Sequence, residues 1–68
     1  MSAIGINLKR GVIFYTKDYG TIEEVNAALE RYEPLNVFWY TGWGKRYNET
    51  LLVSREDVSD LITEREIP

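Results

Sequence analysis

Sixty-eight residues allow one domain at most, and a chain this short buries only about 60% of the surface it exposes when unfolded, so its core is thin. There is no cysteine to form a disulfide and no histidine, which leaves carboxylates and carbonyls as metal ligands and points away from zinc. The net charge of −3 disfavours non-specific attraction to nucleic acid by the molecule as a whole.

A hydrophobic fraction of 44% is that of a folded domain rather than a disordered one. Met1 to Gly5 lacks a basic segment followed by a long apolar run, so no signal peptide is expected. The run Val37 to Tyr40 is too short to span a bilayer, and a cytoplasmic location without membrane contact is expected. The triplet Asn48-Glu49-Thr50 fits the glycosylation pattern but has no secretory context. One α/β domain over residues 1–68 is predicted, with 1–2 and 65–68 fraying.

Ile4, Ile6 and Leu8 alternate with Gly5 and Asn7, the period of a half-buried strand. Lys9-Arg10-Gly11 offers a turn, and Val12 to Thr16 is β-branched and aromatic, which predicts a second strand. The two runs form a hairpin or one long strand bent at Gly11. After a loop at Lys17 to Gly20, Thr21 and Glu24 make a capping box. Ile22, Val25, Ala28, Leu29 and Tyr32 then fall on one side of an amphipathic helix that Pro34 ends.

Leu35 to Thr41 predicts a strong strand, Gly42 to Asn48 a glycine-containing hairpin loop, and Thr50 to Val53 the returning strand. Ser54 and Asp57 read as the cap of a second helix, with Val58, Leu61 and Ile62 as its apolar stripe and Glu64 to Pro68 as a polar tail. The expected fold is therefore α+β: a small two-layer sandwich of order β(β)αββα. Its sheet is mainly antiparallel, with three to four strands and two helices on one face. Thr21 to Val25 echoes Ser54 to Val58, and convergence of capped amphipathic helices explains the echo better than duplication. The strand and helix order is that of a ferredoxin-like RNA-recognition domain short of its last strand. The aromatic signatures of that family are absent, and no family function is carried over.

Charge is unevenly spread. Residues 21–33 carry four glutamates against Arg31, and residues 54–68 carry five acids against two arginines, for −3 in each segment. The remainder sums to +3, from Lys9, Arg10, Lys17, Lys45 and Arg46 against Asp18 and Glu49.

Catalysis has few candidates. Without histidine or cysteine the usual bases and nucleophiles are missing. Glu23/Glu24 and Glu56/Asp57 are carboxylate pairs, but each sits where a helix start favours acids. Gly42-Trp43-Gly44-Lys45 lacks the spacing of a phosphate-binding loop. No stretch matches a calcium loop, and no cofactor or metal site is predicted.

The unusual segment is Val37 to Tyr47, which holds Phe38, Trp39, Tyr40, Trp43 and Tyr47 with Lys45 and Arg46 near its tip. Aromatic side chains and arginine anchor protein interfaces, and aromatics beside cations also stack bases. Phe38 and Tyr40 point to one side of the strand and Val37 and Trp39 to the other. Trp39, Tyr40, Trp43, Lys45, Arg46 and Tyr47 are the candidate binding residues. The expected role is non-enzymatic: a regulator, inhibitor or accessory protein acting through protein–protein contact or as a homodimer. The alternative is a nucleic-acid-binding module using the basic aromatic hairpin and the sheet side with Lys9, Arg10 and Lys17.

Overall fold

A computed structural model describes residues 3–64, so the fraying expected at 1–2 and 65–68 lies outside the described residues. The chain runs through strands β1 (Ala3–Leu8) and β2 (Ile13–Thr16), helix α1 (Ile22–Glu30), and strands β3 (Leu35–Tyr40) and β4 (Arg46–Leu51). A short 3₁₀ turn at Arg55–Asp57 then leads into strand β5 (Val58–Glu64). All five strands join one sheet in the order β4-β3-β2-β1-β5, and every neighbouring pair is antiparallel.

This corrects the expected fold. The sheet has five strands rather than three or four, and α1 is the only α-helix among the described residues. Residues 54–62 do not form the expected second helix. Val58, Leu61 and Ile62 have helical spacing, but β1 has apolar side chains at Ile4, Ile6 and Leu8 and a free edge beside them. Pairing β5 to that edge satisfies both backbones, from Ala3↔Glu64 to Leu8↔Val58, and isolated helix propensity is too weak to compete. Ser54 does not cap a helix. Its hydroxyl donates to the Asp57 carboxylate at 3.3 Å, and the turn closes through Asp57 N–H to Ser54 O at 3.1 Å. A bulge at Ser59 adjusts the register between Asn7 and Leu8, and the Ser59 hydroxyl donates to Asn7 O at 3.1 Å.

The returning strand also begins earlier than expected. β4 starts at Arg46, not Thr50, and the hairpin loop shrinks to Thr41–Lys45. Arg46 to Glu49 are polar or exposed on both faces because β4 is an edge strand, so alternation hid it from the sequence.

Helix α1 begins as expected. The Glu24 amide donates to Thr21 Oγ1 at 3.2 Å, and the Thr21 hydroxyl donates to Glu24 Oε1 at 3.1 Å. It ends at Glu30, before Pro34, in a Schellman arrangement: Tyr32 N–H to Leu29 O and Glu33 N–H to Ala28 O, both 3.0 Å. Tyr32 takes the left-handed position with φ of 55° and is 55% exposed, so it leaves the apolar stripe where the sequence had placed it.

One face of the sheet meets α1. Ile4, Ile6, Leu8, Phe14, Leu35, Val37 and Leu51 pack there with Val25, Ala28 and Leu29 of the helix. Arg55 ties the 3₁₀ turn to both layers: its Nε donates to Asn26 Oδ1 on α1, and Nη1 donates to Val58 O at 3.0 Å. The opposite face carries Ala3, Gly5, Ile13, Tyr15, Phe38, Tyr40 and Ile62, by cross-strand pairing and side-chain alternation. Ala3 and Phe38 are buried there yet belong to no part of the helix-side core.

Candidate binding surface at the hairpin end

The register locates the basic residues. Tyr15 pairs with Phe38, and continuing that register by two residues sets Ile13 level with Tyr40. The β1–β2 turn and the β3–β4 turn therefore project from the same end of the sheet. One carries Lys9 and Arg10, the other Lys45, with Arg46 at the start of β4, and all four side chains are exposed. Two Lys-Arg pairs far apart in sequence thus share one end of the molecule. A cavity of about 250 Å³ opens at the first of these turns, lined by Leu8, Lys9, Arg10, Val53 and Asp57.

At the tip of the β3–β4 hairpin stands Trp43, 97% exposed. Its loop is nonetheless well tied. Thr41 N–H donates to Lys45 O and Gly44 N–H to Thr41 O, both at 2.9 Å. The Thr41 hydroxyl accepts from Trp43 N–H at 3.3 Å and from Lys45 N–H at 3.1 Å. Gly44 takes φ of +84°, which a side chain would resist. One threonine and one glycine thus fix the backbone that presents an indole to solvent.

The other candidate residues divide between the two sheet faces. On the helix side, Trp39 and Tyr47 are cross-strand partners, and their rings stack at 4.9 Å with 21° between planes. Lys45 Nζ lies 5.1 Å from the centre of the Tyr47 ring. Tyr47 is 39% exposed, whereas Trp39 is half-buried against the core, and its indole N–H meets no acceptor among the described residues. On the opposite face, Tyr40 pairs with Arg46. The six candidates therefore surround the hairpin rather than form one patch.

Three residues outside the candidate set complete the opposite face. Tyr15 stacks on Phe38 with centres 5.7 Å apart, and Tyr40 meets Phe38 edge-on at 6.0 Å. The Arg46 guanidinium lies 4.1 Å above the Phe38 ring and Lys17 Nζ lies 5.2 Å from its centre. Among the described residues no helix covers Phe38, yet it is only 4% exposed, and two cations and two tyrosines close over it. Cation–π attraction of about 0.5–1 kcal/mol per exposed pair supports that lid. Tyr15 and Phe38 are not among the candidate binding residues, and Lys17 enters only with the nucleic-acid alternative, because the grouping depends on which strands become neighbours. Only the β2–β3 pairing, across an intervening helix, brings them together.

Arg31, in the loop after α1, is held above the usual arginine value by its hydrogen bond to Glu33 and then by that carboxylate's charge. Among the described residues no three carboxylates converge into a metal-binding group, and no helix is long and apolar enough to cross a membrane. No protein-family model matches the chain, and neither a curated protein nor a solved structure matches it.

Proposed function

We propose that this chain is a non-enzymatic protein-binding module, a small regulator, inhibitor or accessory subunit, that docks through its β3–β4 hairpin. The observation that carries this reading is Trp43: a large apolar side chain almost wholly in water, on a loop whose backbone is already fixed by Thr41. Burying an indole in a partner's pocket supplies a hot-spot contact worth about 2 kcal/mol or more. A preformed loop lowers the ordering cost of that contact. Tyr47 and Lys45 on one side and Tyr40 and Arg46 on the other would form the surrounding rim.

The test compares partner recovery from cell extract by the wild-type chain, Trp43→Ala, Tyr47→Ala and the distant Glu23→Ala. A protein recovered by wild type and Glu23→Ala, but lost with the two hairpin variants, supports the reading. Equal recovery by all four overturns the assigned surface.

A second reading rests on the shared end of the two Lys-Arg turns. Lys9, Arg10, Lys45 and Arg46 would track phosphates while Trp43 stacks a base, the combination used on single strands. The net charge of −3 works against it, since affinity for phosphates follows the number neutralised. Tryptophan fluorescence titrated with a single-stranded oligonucleotide at low salt decides this reading, and an unchanged signal removes it.

A further inference from the structure

The face of the sheet without a helix is ordered in rows that run across all five strands. One row reads Asp60, Asn7, Ile13, Tyr40, Arg46 from β5 to β4. The next reads Ile62, Gly5, Tyr15, Phe38, Asn48. Acid stands on one edge strand and base on the other, in the same row. The large rings stand on β2 and β3, and the smallest residues, Ala3 and Gly5, stand on β1.

Such a face is complementary to itself. A two-fold axis along β2, parallel to the strands, lays β4 of one copy over β5 of the other and β3 over β1. Arg46, which lies over Phe38 within one copy, then faces Asp60 of the second copy, twice by symmetry. Plus meets minus at both edges under one operation, as a self-complementary two-fold contact requires. Packed sheets cross at about 30°, which displaces the edge strands by roughly 5 Å, a shift within reach of an arginine side chain.

We propose that a second copy of this chain covers the helix-free face, forming a two-fold, sheet-to-sheet dimer held in register by Arg46–Asp60 pairs. The inference deepens the reading of the chain as a binding module by naming one partner, and it uses a surface apart from Trp43. The acidic edge strand favours a second copy over a polyanion, because Asp60 and Glu64 would repel phosphates on this same face. Five strands about 4.8 Å apart and about five residues long offer roughly 400 Å² per copy. That is at the small end for protein contacts, so the dimer is weak and depends on concentration.

Sedimentation or light scattering over a range up to millimolar chain gives the first measurement, with wild-type mass expected to rise from one chain toward two. Arg46→Asp and Asp60→Arg each place like charges opposite one another, and each alone should weaken the dimer about tenfold or more. Mixing the two variants restores opposite charges at both pairs, so the mixture should associate where neither variant does. That recovery also shows that both variants fold. Trp43→Ala should leave the dimer intact, which separates failure of this inference from failure of the hairpin reading. A wild-type chain that stays monomeric throughout, single variants that dimerise like wild type, or a mixture that fails to recover would each overturn the proposal.

Discussion

Ile62 lies across Gly5 on the helix-free face, so closely that a Cβ at Gly5 would stand 2.9 Å from Ile62 Cγ1 and 3.5 Å from Ile13 Cδ1. Gly5 pairs with both Ile62 and Tyr15, and the missing side chain is what lets β5 lay an isoleucine over β1. Gly5→Val should therefore destabilise the fold by about 1–3 kcal/mol through overpacking. In Ile62→Ala the same substitution should cost markedly less. A double-mutant cycle by denaturant unfolding measures this, and additive effects would show that the two side chains do not compete for space.

Tyr32 is a bulky residue in a position that suits glycine. With φ of 55° it closes α1 while more than half of its surface remains in water. Tyr32→Gly should raise stability by roughly 0.5–1 kcal/mol, because the left-handed strain disappears and little packing is lost. A lowered unfolding midpoint would mean that the ring contributes more than its exposure indicates.

Arg55 holds the connection from β4 to β5 against the helix through Asn26 Oδ1 and Val58 O. Arg55→Met keeps much of the aliphatic length and removes both hydrogen bonds, leaving a half-buried acceptor on each side. A loss of about 1–3 kcal/mol is expected in urea unfolding. Asn26→Ala should cost less, since the arginine keeps its bond to Val58 O. Equal losses would place the whole effect in the Asn26 contact.

Thr41→Val removes the hydroxyl that gathers the Trp43 and Lys45 amides while preserving side-chain shape. Global stability should fall by less than about 1 kcal/mol, because water replaces the lost partner at this exposed turn. The local effect should be larger. Backbone relaxation at Trp43 and Gly44 should report increased fast motion, and unchanged order parameters would show that the backbone hydrogen bonds alone set the loop.

Much of this architecture could be read locally. Thr21 and Glu24 mark the helix start three residues apart, and alternation alone sends Phe38 and Tyr40 to one face and Val37 and Trp39 to the other. Residues 58–64 could not be read that way. Val58, Leu61 and Ile62 suit a helix as well as a strand, and the choice falls to a free edge of β1 fifty or more positions earlier. The aromatic cluster was hidden for the same reason. Phe38 was visible as a strand residue, but Tyr15 and Lys17 join it only once β2 lies beside β3.

The pairing of β1 with β5 also bears on how the molecule assembles. The β1–β2 and β3–β4 hairpins close short loops, whereas Ala3 meets Glu64 only after nearly the whole described chain has been gathered in. Contacts of such long sequence separation form slowly. While β5 is still undocked, β1 offers bare amides and carbonyls beside Ile4, Ile6 and Leu8, a template for any passing strand. The vulnerable moment in this protein's life is therefore expected during refolding, before its last ribbon zips shut. Pulse-labelling hydrogen exchange would reveal it as late protection of β5 amides.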